Sequence, residues 1–77
     1  MSRVFVDDDL LTWEAYASGG RFGLPERPKI VFHCLSDPAI RARFVIHPGD
    51  EANAEETVHE LPEERLKAML KESRELE

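Results

Sequence analysis

The sequence predicts an α+β fold: a four-stranded, largely antiparallel sheet, formed as a meander of two hairpins, with one C-terminal helix packed on one face. Two pairs of short segments rich in β-branched and aromatic residues are each separated by turn-forming residues. Apolar residues near the end of the chain recur with helical spacing. A chain of 77 residues has room for one core, so residues 1–77 are expected to form a single domain.

The first hairpin is predicted from residues 3–6 and 12–17, which three consecutive aspartates help to separate. Aspartate favours turns and disfavours strands, so the bend is placed at residues 8–9. Cross-strand apolar and charge matches then set the register. The expected pairs are Val6 with Leu11, Val4 with Trp13, and Arg3 with Glu14.

The central hairpin is predicted from residues 29–35 and 41–47, around a turn at Ser36-Asp37-Pro38. With the tip at residues 38–40, Phe32 is expected to pair with Ile46. One face of the hairpin is then wholly apolar, carrying Ile30, Phe32, Cys34, Phe44 and Ile46. The other face is mixed, carrying Val31, His33, Leu35, Arg43, Val45 and His47.

Three further segments complete the prediction. Residues 18–28 contain three glycines and two prolines and are expected to form a long loop, either a simple crossover or a binding loop that presents Phe22 and Leu24. Residues 50–60 are acidic and are expected to form a linker, in which residues 51–56 are either a loop or a single helical turn. Residues 61–76 are expected to form the C-terminal helix, whose apolar stripe of Leu66, Met69 and Leu70 packs on the apolar face of the sheet.

The net charge of −6 lies entirely in one part of the chain. Residues 1–49 carry equal numbers of acidic and basic side chains, whereas residues 50–77 carry ten acidic and four basic ones. This acidic third would repel nucleic acid and suits a basic partner surface. Cys34 is the one cysteine and cannot form a disulfide within the chain. No segment is typical of a signal peptide or a membrane span, so a cytoplasmic protein is expected.

Three short motifs stand near the two ends of the chain: Arg3-x-Phe5-x-Asp7, Trp13-Glu14 and Leu66-x-x-Met69-Leu70. In these motifs the chain resembles short, uncharacterised bacterial proteins of about this length. Those proteins place a glycine between the aspartate and the Trp-Glu pair, where this chain has Leu10 and Leu11. The resemblance implies a meander followed by a terminal helix, and it implies no activity.

The residue types that carry chemistry favour structural roles. His33 and His47 would lie on the same face of neighbouring strands, which leaves a metal site as one alternative, but Cys34 would point to the opposite face. Cys34 lies in an apolar run, which favours a core thiol over a nucleophile. Residues 7–9 lack the glycine and distal glutamate of a calcium loop. We therefore expect no catalytic residue, no cofactor and no enzymatic activity.

The mixed face of the sheet is the predicted interaction surface, because one helix can cover only one face. The candidate interface residues are Phe5, Tyr16, Val31, His33, Leu35, Arg43 and Val45, with Phe22 and Leu24 of the loop. The first functional hypothesis is a non-enzymatic protein-interaction module that binds a protein partner or itself as a homodimer, with no direct contact to nucleic acid or membrane. The alternatives are an acidic regulator or nucleic-acid mimic that docks a basic protein through residues 50–77, and a small metal-binding protein that uses His33 and His47.

Overall fold

The computed structural model of the chain describes residues 2–18, 28–48 and 51–75. In chain order its elements are β1 Arg3–Val6, β2 Thr12–Ser18, β3 Lys29–Cys34, β4 Arg43–Ile46, α1 Glu51–Glu60, α2 Glu63–Glu72 and β5 Arg74–Glu75. The strands form one antiparallel sheet in the order β1-β2-β3-β4-β5. The predicted α+β fold with an antiparallel sheet is confirmed, with one strand and one helix more than predicted. Most of the predicted loop at residues 18–28 lies outside the described residues.

Helix α1 corrects the prediction of a linker at residues 50–60. Alanine and glutamate are good helix formers, and this segment is rich in both. Ala54 and Val58, one helical turn apart, are both fully buried, and α1 contacts β2 and β3. The second correction concerns the C-terminal helix, which ends at Glu72 instead of residue 76 because the chain turns at Ser73 and pairs with β4.

The first hairpin has a different register from the one predicted. Phe5 pairs with Trp13 and Val4 with Glu14, one residue away from the expected pairs. The reason is a turn one residue longer, in which the Asp7 amide donates to the Leu11 carbonyl at 2.9 Å. A one-residue slip exchanges the two faces of a strand. Phe5 therefore lies in the core, 3% exposed, and Val4 points away from it, 56% exposed.

The turn between β1 and β2 places a leucine in an unusual backbone conformation. Three residues, 8–10, lie between the paired residues Asp7 and Leu11, and the last of them, Leu10, has a φ of 65°. Hairpin loops of this length commonly need a left-handed residue at that position, and glycine adopts it without steric cost. The side chain of Leu10 is 83% exposed, so it packs against little.

The central hairpin is offset by three residues from the prediction. Ile30 pairs with Val45 and Phe32 with Arg43, and the His47 amide donates to the Pro28 carbonyl at 2.8 Å. An odd offset exchanges the faces of β4 as well. Val45 and Arg43 thus point towards the helices, whereas Phe44 and Ile46 point away from them.

Both helices pack on the same face of the sheet and enclose the core. Phe5 and Phe32 meet edge to face, with ring centroids 6.1 Å apart. The buried cluster consists of Phe5, Trp13, Ala15, Ile30, Phe32, Cys34, Ala54, Val58, Leu66 and Leu70. The opposite face of the sheet receives neither helix.

Two side-chain contacts attach β1 to the connection between the helices. The Arg3 guanidinium donates to the carbonyls of Val58 and His59, at 3.4 Å each, and to that of Leu61. Carbonyls at the C-terminal end of a helix lack partners within the helix, and the negative end of the helix dipole attracts a cation there. The Glu63 carboxylate accepts the Val6 amide at 3.3 Å. Glu63 therefore satisfies the backbone N–H of Val6, which lies on the edge strand β1.

Candidate functional site

The face of the sheet opposite the helices, the outer face, is not covered by either helix. Strand register places on it alternate residues of each strand, and Leu35 continues the alternation past the end of β3. Its apolar members are Val4, Val6, Tyr16, Val31, Leu35, Phe44 and Ile46. The outer face is therefore much more apolar than a sheet face that normally meets water.

Four of these side chains are well exposed. Val4 and Ile46 are each 56% exposed, Leu35 is 48% exposed, and Val6 is 40% exposed. Val31 differs from them: it is 4% exposed, lies between its cross-strand neighbours Tyr16 and Phe44, and is separate from the helix-side core.

Charged side chains lie among the apolar members of the outer face, including on the central strands β2 and β3. Glu14 and His33 are cross-strand neighbours, and Arg74 lies beside Phe44. The Lys29 ammonium lies 5.5 Å from the centroid of the Phe44 ring, a cation–π geometry. The outer face is therefore a mixture of apolar and charged side chains, in which the Glu14–His33 pair separates Val6 and Leu35 from Ile46.

The structure divides the predicted interface residues between two faces. Tyr16, Val31, His33 and Leu35 lie on the outer face, as predicted. The other three described residues lie on the helix side: Phe5 is in the core, Val45 packs against the core, and Arg43 bonds to Ser73. Phe22 and Leu24 lie outside the described residues.

Sequence reasoning missed the outer-face residues Val4, Val6, Phe44 and Ile46, because it placed them inside. For the first strand, a signal was present in the turn. The Asp7 carboxylate accepts the backbone amides of Asp9 and Leu11 at 2.8 and 2.9 Å, so this aspartate begins the loop. A loop that starts at Asp7 and closes at Leu11 requires the observed register.

The two histidines of the proposed metal site do not come together. His33 is on the outer face, whereas the His47 ring lies 2.7 Å from the Asn53 side-chain oxygen of α1, on the helix side. His47 pairs with Pro28, which is five residues from His33, or about 16 Å along the strand. In the described ranges, no group of three or more histidine, cysteine, aspartate or glutamate side chains is arranged to hold a metal ion.

Cys34 belongs to the core. Its side chain is 2% exposed, and its Sγ lies 3.8 Å from the Ser36 hydroxyl. A reactive thiol needs access and a positive environment. Burial removes that access and leaves Cys34 as a packing residue, as the sequence indicated.

A second feature, the end pocket, lies on the helix side between the β1–β2 turn, the β3–β4 connection and α2. Its volume is about 340 Å³. Apolar side chains line it from three directions: Leu11, Trp13, Ile40 and Leu70. Charged side chains also line it: Asp7, Asp8, Asp9, Arg43, Lys67 and Lys71.

Several of the charged side chains that line the end pocket form hydrogen bonds or ion pairs within the chain. Asp7 accepts the Trp13 indole N–H at 2.8 Å in addition to its two backbone bonds. The Asp8 carboxylate lies 3.3 Å from the Lys71 ammonium and 3.5 Å from that of Lys67. Hydrogen bonding and attraction, first from Lys71 and then from Lys67, lower the pKa of Asp8. Arg43 donates from Nε to the Ser73 hydroxyl at 2.8 Å.

A third feature, the acidic ridge, runs along α1 and into α2. It consists of five exposed glutamates: Glu55, Glu56, Glu60, Glu63 and Glu64. Helix α1 carries no lysine or arginine, and its one basic side chain is His59 in the last turn.

No family model matches the chain, and no curated protein or solved structure is significantly similar to it. Within residues 2–18, 28–48 and 51–75, no helix is long and apolar enough to cross a bilayer.

Proposed function

We propose that this chain is a non-enzymatic protein-interaction module that associates through its outer face, with a second copy of the chain as the partner. The observation that carries this proposal is the exposure of four large apolar side chains, Val4, Val6, Leu35 and Ile46, on the face opposite both helices. Several large apolar side chains exposed on one face of a small protein commonly mark an interaction site.

The edges of the sheet favour packing of one face on another. At one edge, Glu63 accepts the Val6 amide, which a docking strand would otherwise use. At the other edge, β5 has only two residues, Arg74 and Glu75, and both are charged and exposed. Two copies are therefore expected to stack as a sandwich, with strand directions within about 30° of each other.

The size of the outer face sets the expected affinity. Four strands about 4.8 Å apart and about 20 Å long cover a flat area of roughly 400 Å². The side chains that project from the sheet add to this area. Stable complexes usually bury about 800 Å² on each partner, and smaller interfaces are weak or transient. The expected dissociation constant is therefore micromolar or weaker, about −8 kcal/mol or less favourable.

Sedimentation equilibrium tests this proposal directly. The average mass of the wild type should rise towards that of a dimer between low-micromolar and near-millimolar protein, because mass action fills a weak interface. Ile46→Glu should stay monomeric, since it places a charge in the apolar patch. Leu10→Glu is the matched control, because it makes the same change of charge at an exposed leucine of the β1–β2 turn, outside the strands. A thermal unfolding curve shows that each variant is folded.

The proposal fails if the wild type remains monomeric over the whole concentration range. It also fails if Leu10→Glu abolishes association as completely as Ile46→Glu does, because the effect would then come from net charge.

The acidic ridge favours a second candidate function, which is the docking of a basic protein. Five exposed glutamates on adjacent helices create a negative surface that steers and holds a positive partner. Salt weakens such binding steeply because it screens exposed charges. Binding to a basic test protein should fall sharply between low and physiological salt, and Glu55→Gln with Glu56→Gln should reduce it further. Affinity that is indifferent to salt would exclude this function.

A further inference from the structure

We propose that the end pocket binds a small amphipathic anion, a carboxylate joined to an apolar group, and that Asp8 competes with this ligand for the two lysines of the pocket. This site is separate from the outer face and from the acidic ridge, so it stands independently of the proposed function.

The size and lining of the pocket define the apolar part of the ligand. A volume of about 340 Å³ is at the lower end of known ligand sites, which span roughly 300–1,000 Å³. A cavity of about 150 Å³ already admits benzene. The Trp13, Leu11, Ile40 and Leu70 side chains supply apolar walls. One aromatic ring or a short alkyl chain therefore fits.

The lysines define the anionic part of the ligand. Lys67 and Lys71 are one helical turn apart on α2, and both ammonium groups reach the same Asp8 carboxylate. This contact shows that one carboxylate can interact with both lysines. Each ammonium has three donors, so neither is saturated by one oxygen. Asp8 itself is 62% exposed and lies on a turn, so water can solvate it when a ligand takes its place.

Two of the three aspartates that line the pocket are already engaged by partners within the chain. Asp7 already accepts three hydrogen bonds, from two backbone amides and the Trp13 indole. Asp8 is paired with the lysines. The Lys67 and Lys71 ammonium groups keep spare donors, which favour an anion.

Two sources could supply this chemistry: a free organic acid, or the C-terminal carboxylate of a peptide that ends in an apolar residue. The probes are phenylacetate, its neutral analogue phenylacetamide, and a short peptide ending in phenylalanine, with either a free or an amidated C-terminus. Trp13 is the single tryptophan of the chain, so its fluorescence and its indole N–H resonance both report on the pocket.

Phenylacetate should shift the Trp13 signals in a saturable way, and phenylacetamide should bind about tenfold or more weakly, because its neutral carbonyl accepts a weaker hydrogen bond from an ammonium group than a carboxylate does. Asp8→Asn should tighten binding severalfold by releasing both lysines, and Lys67→Gln should weaken it about tenfold. The controls are Glu64→Gln and Arg65→Gln, which make the same charge changes on exposed side chains outside the pocket.

Each outcome decides the proposal. If the free-acid peptide binds more tightly than phenylacetate and more tightly than the amidated peptide, the ligand is a peptide C-terminus. If phenylacetate binds and neither peptide does, the ligand is a small organic acid. Equal binding of phenylacetate and phenylacetamide overturns the proposal, as does an unchanged affinity in Asp8→Asn. Unchanged Trp13 fluorescence and resonance in both the wild type and Asp8→Asn, with all probes, also overturns it.

Discussion

Replacing Leu10 with glycine should stabilise the protein, although it removes a large apolar side chain. Leu10 has a φ of 65°, and a residue with a Cβ atom pays about 1–2 kcal/mol in the left-handed region. Glycine avoids this cost but loses about 0.5–1 kcal/mol through the greater freedom of the unfolded chain. The side chain is 83% exposed, so little burial is lost. The expected net gain is about 0.75 kcal/mol, or about 3–6 °C in melting temperature for a domain of this size.

Thermal unfolding followed by circular dichroism measures this effect. Leu10→Ala is the matched control, because it removes the same exposed side chain and keeps the Cβ atom that causes the strain. We expect Leu10→Ala to melt close to the wild type and Leu10→Asn to melt above it, since asparagine tolerates the left-handed region. The reasoning is refuted if Leu10→Gly is no more stable than Leu10→Ala.

Three further predictions concern polar contacts and the thiol. Ser73→Ala should lower the free energy of unfolding in urea by about 1–3 kcal/mol, because Arg43 Nε loses its acceptor; a midpoint equal to the wild type would contradict this. The pKa of Asp8, followed by carboxyl NMR, should lie below its usual value and rise in Lys71→Gln, and the stability from this contact should be complete above the unfolded-state pKa and be lost as pH falls through the folded-state pKa. Cys34 should react with a thiol reagent only as fast as the domain opens, so labelling at the rate of a free thiol in native buffer would show that it is accessible.

The elements of this fold were easier to predict than their register. Turn-forming residues and apolar composition place β1 to β4 within one or two residues, because both signals are local. Helix α1 was missed because the buried side chains among its described residues 53–60 are Ala54 and Val58, too small a stripe to stand out among glutamates. The two-residue β5 depends on pairing with β4 and on the contact of Arg43 with Ser73, which no local pattern indicates.

The prediction of strand register was wrong in both hairpins for the same reason. Residues 4–6 and 44–46 are apolar at three consecutive positions, so they lack the alternation that tells one face from the other. The length of the loop then decides the register. Asp7 and Asp37 help to fix that length, because each carboxylate accepts a backbone amide two residues further along the chain. The predicted interface was partly wrong for this reason, because Phe5, Arg43 and Val45 lie on the helix side of the sheet and not on the outer face.

The same apolar runs support the outer face as an interaction surface. Whichever register these strands adopt, at least one apolar residue of each run must point away from the helices, and the observed register sends out two of the three. A polar residue at Val4 or Ile46 would cost the core nothing, since neither side chain touches it. Meanwhile, Glu63 protects the edge of β1 against pairing with another strand. A sheet that blocks its edge and keeps apolar residues on its open face is better suited to face-to-face association than to isolation in water.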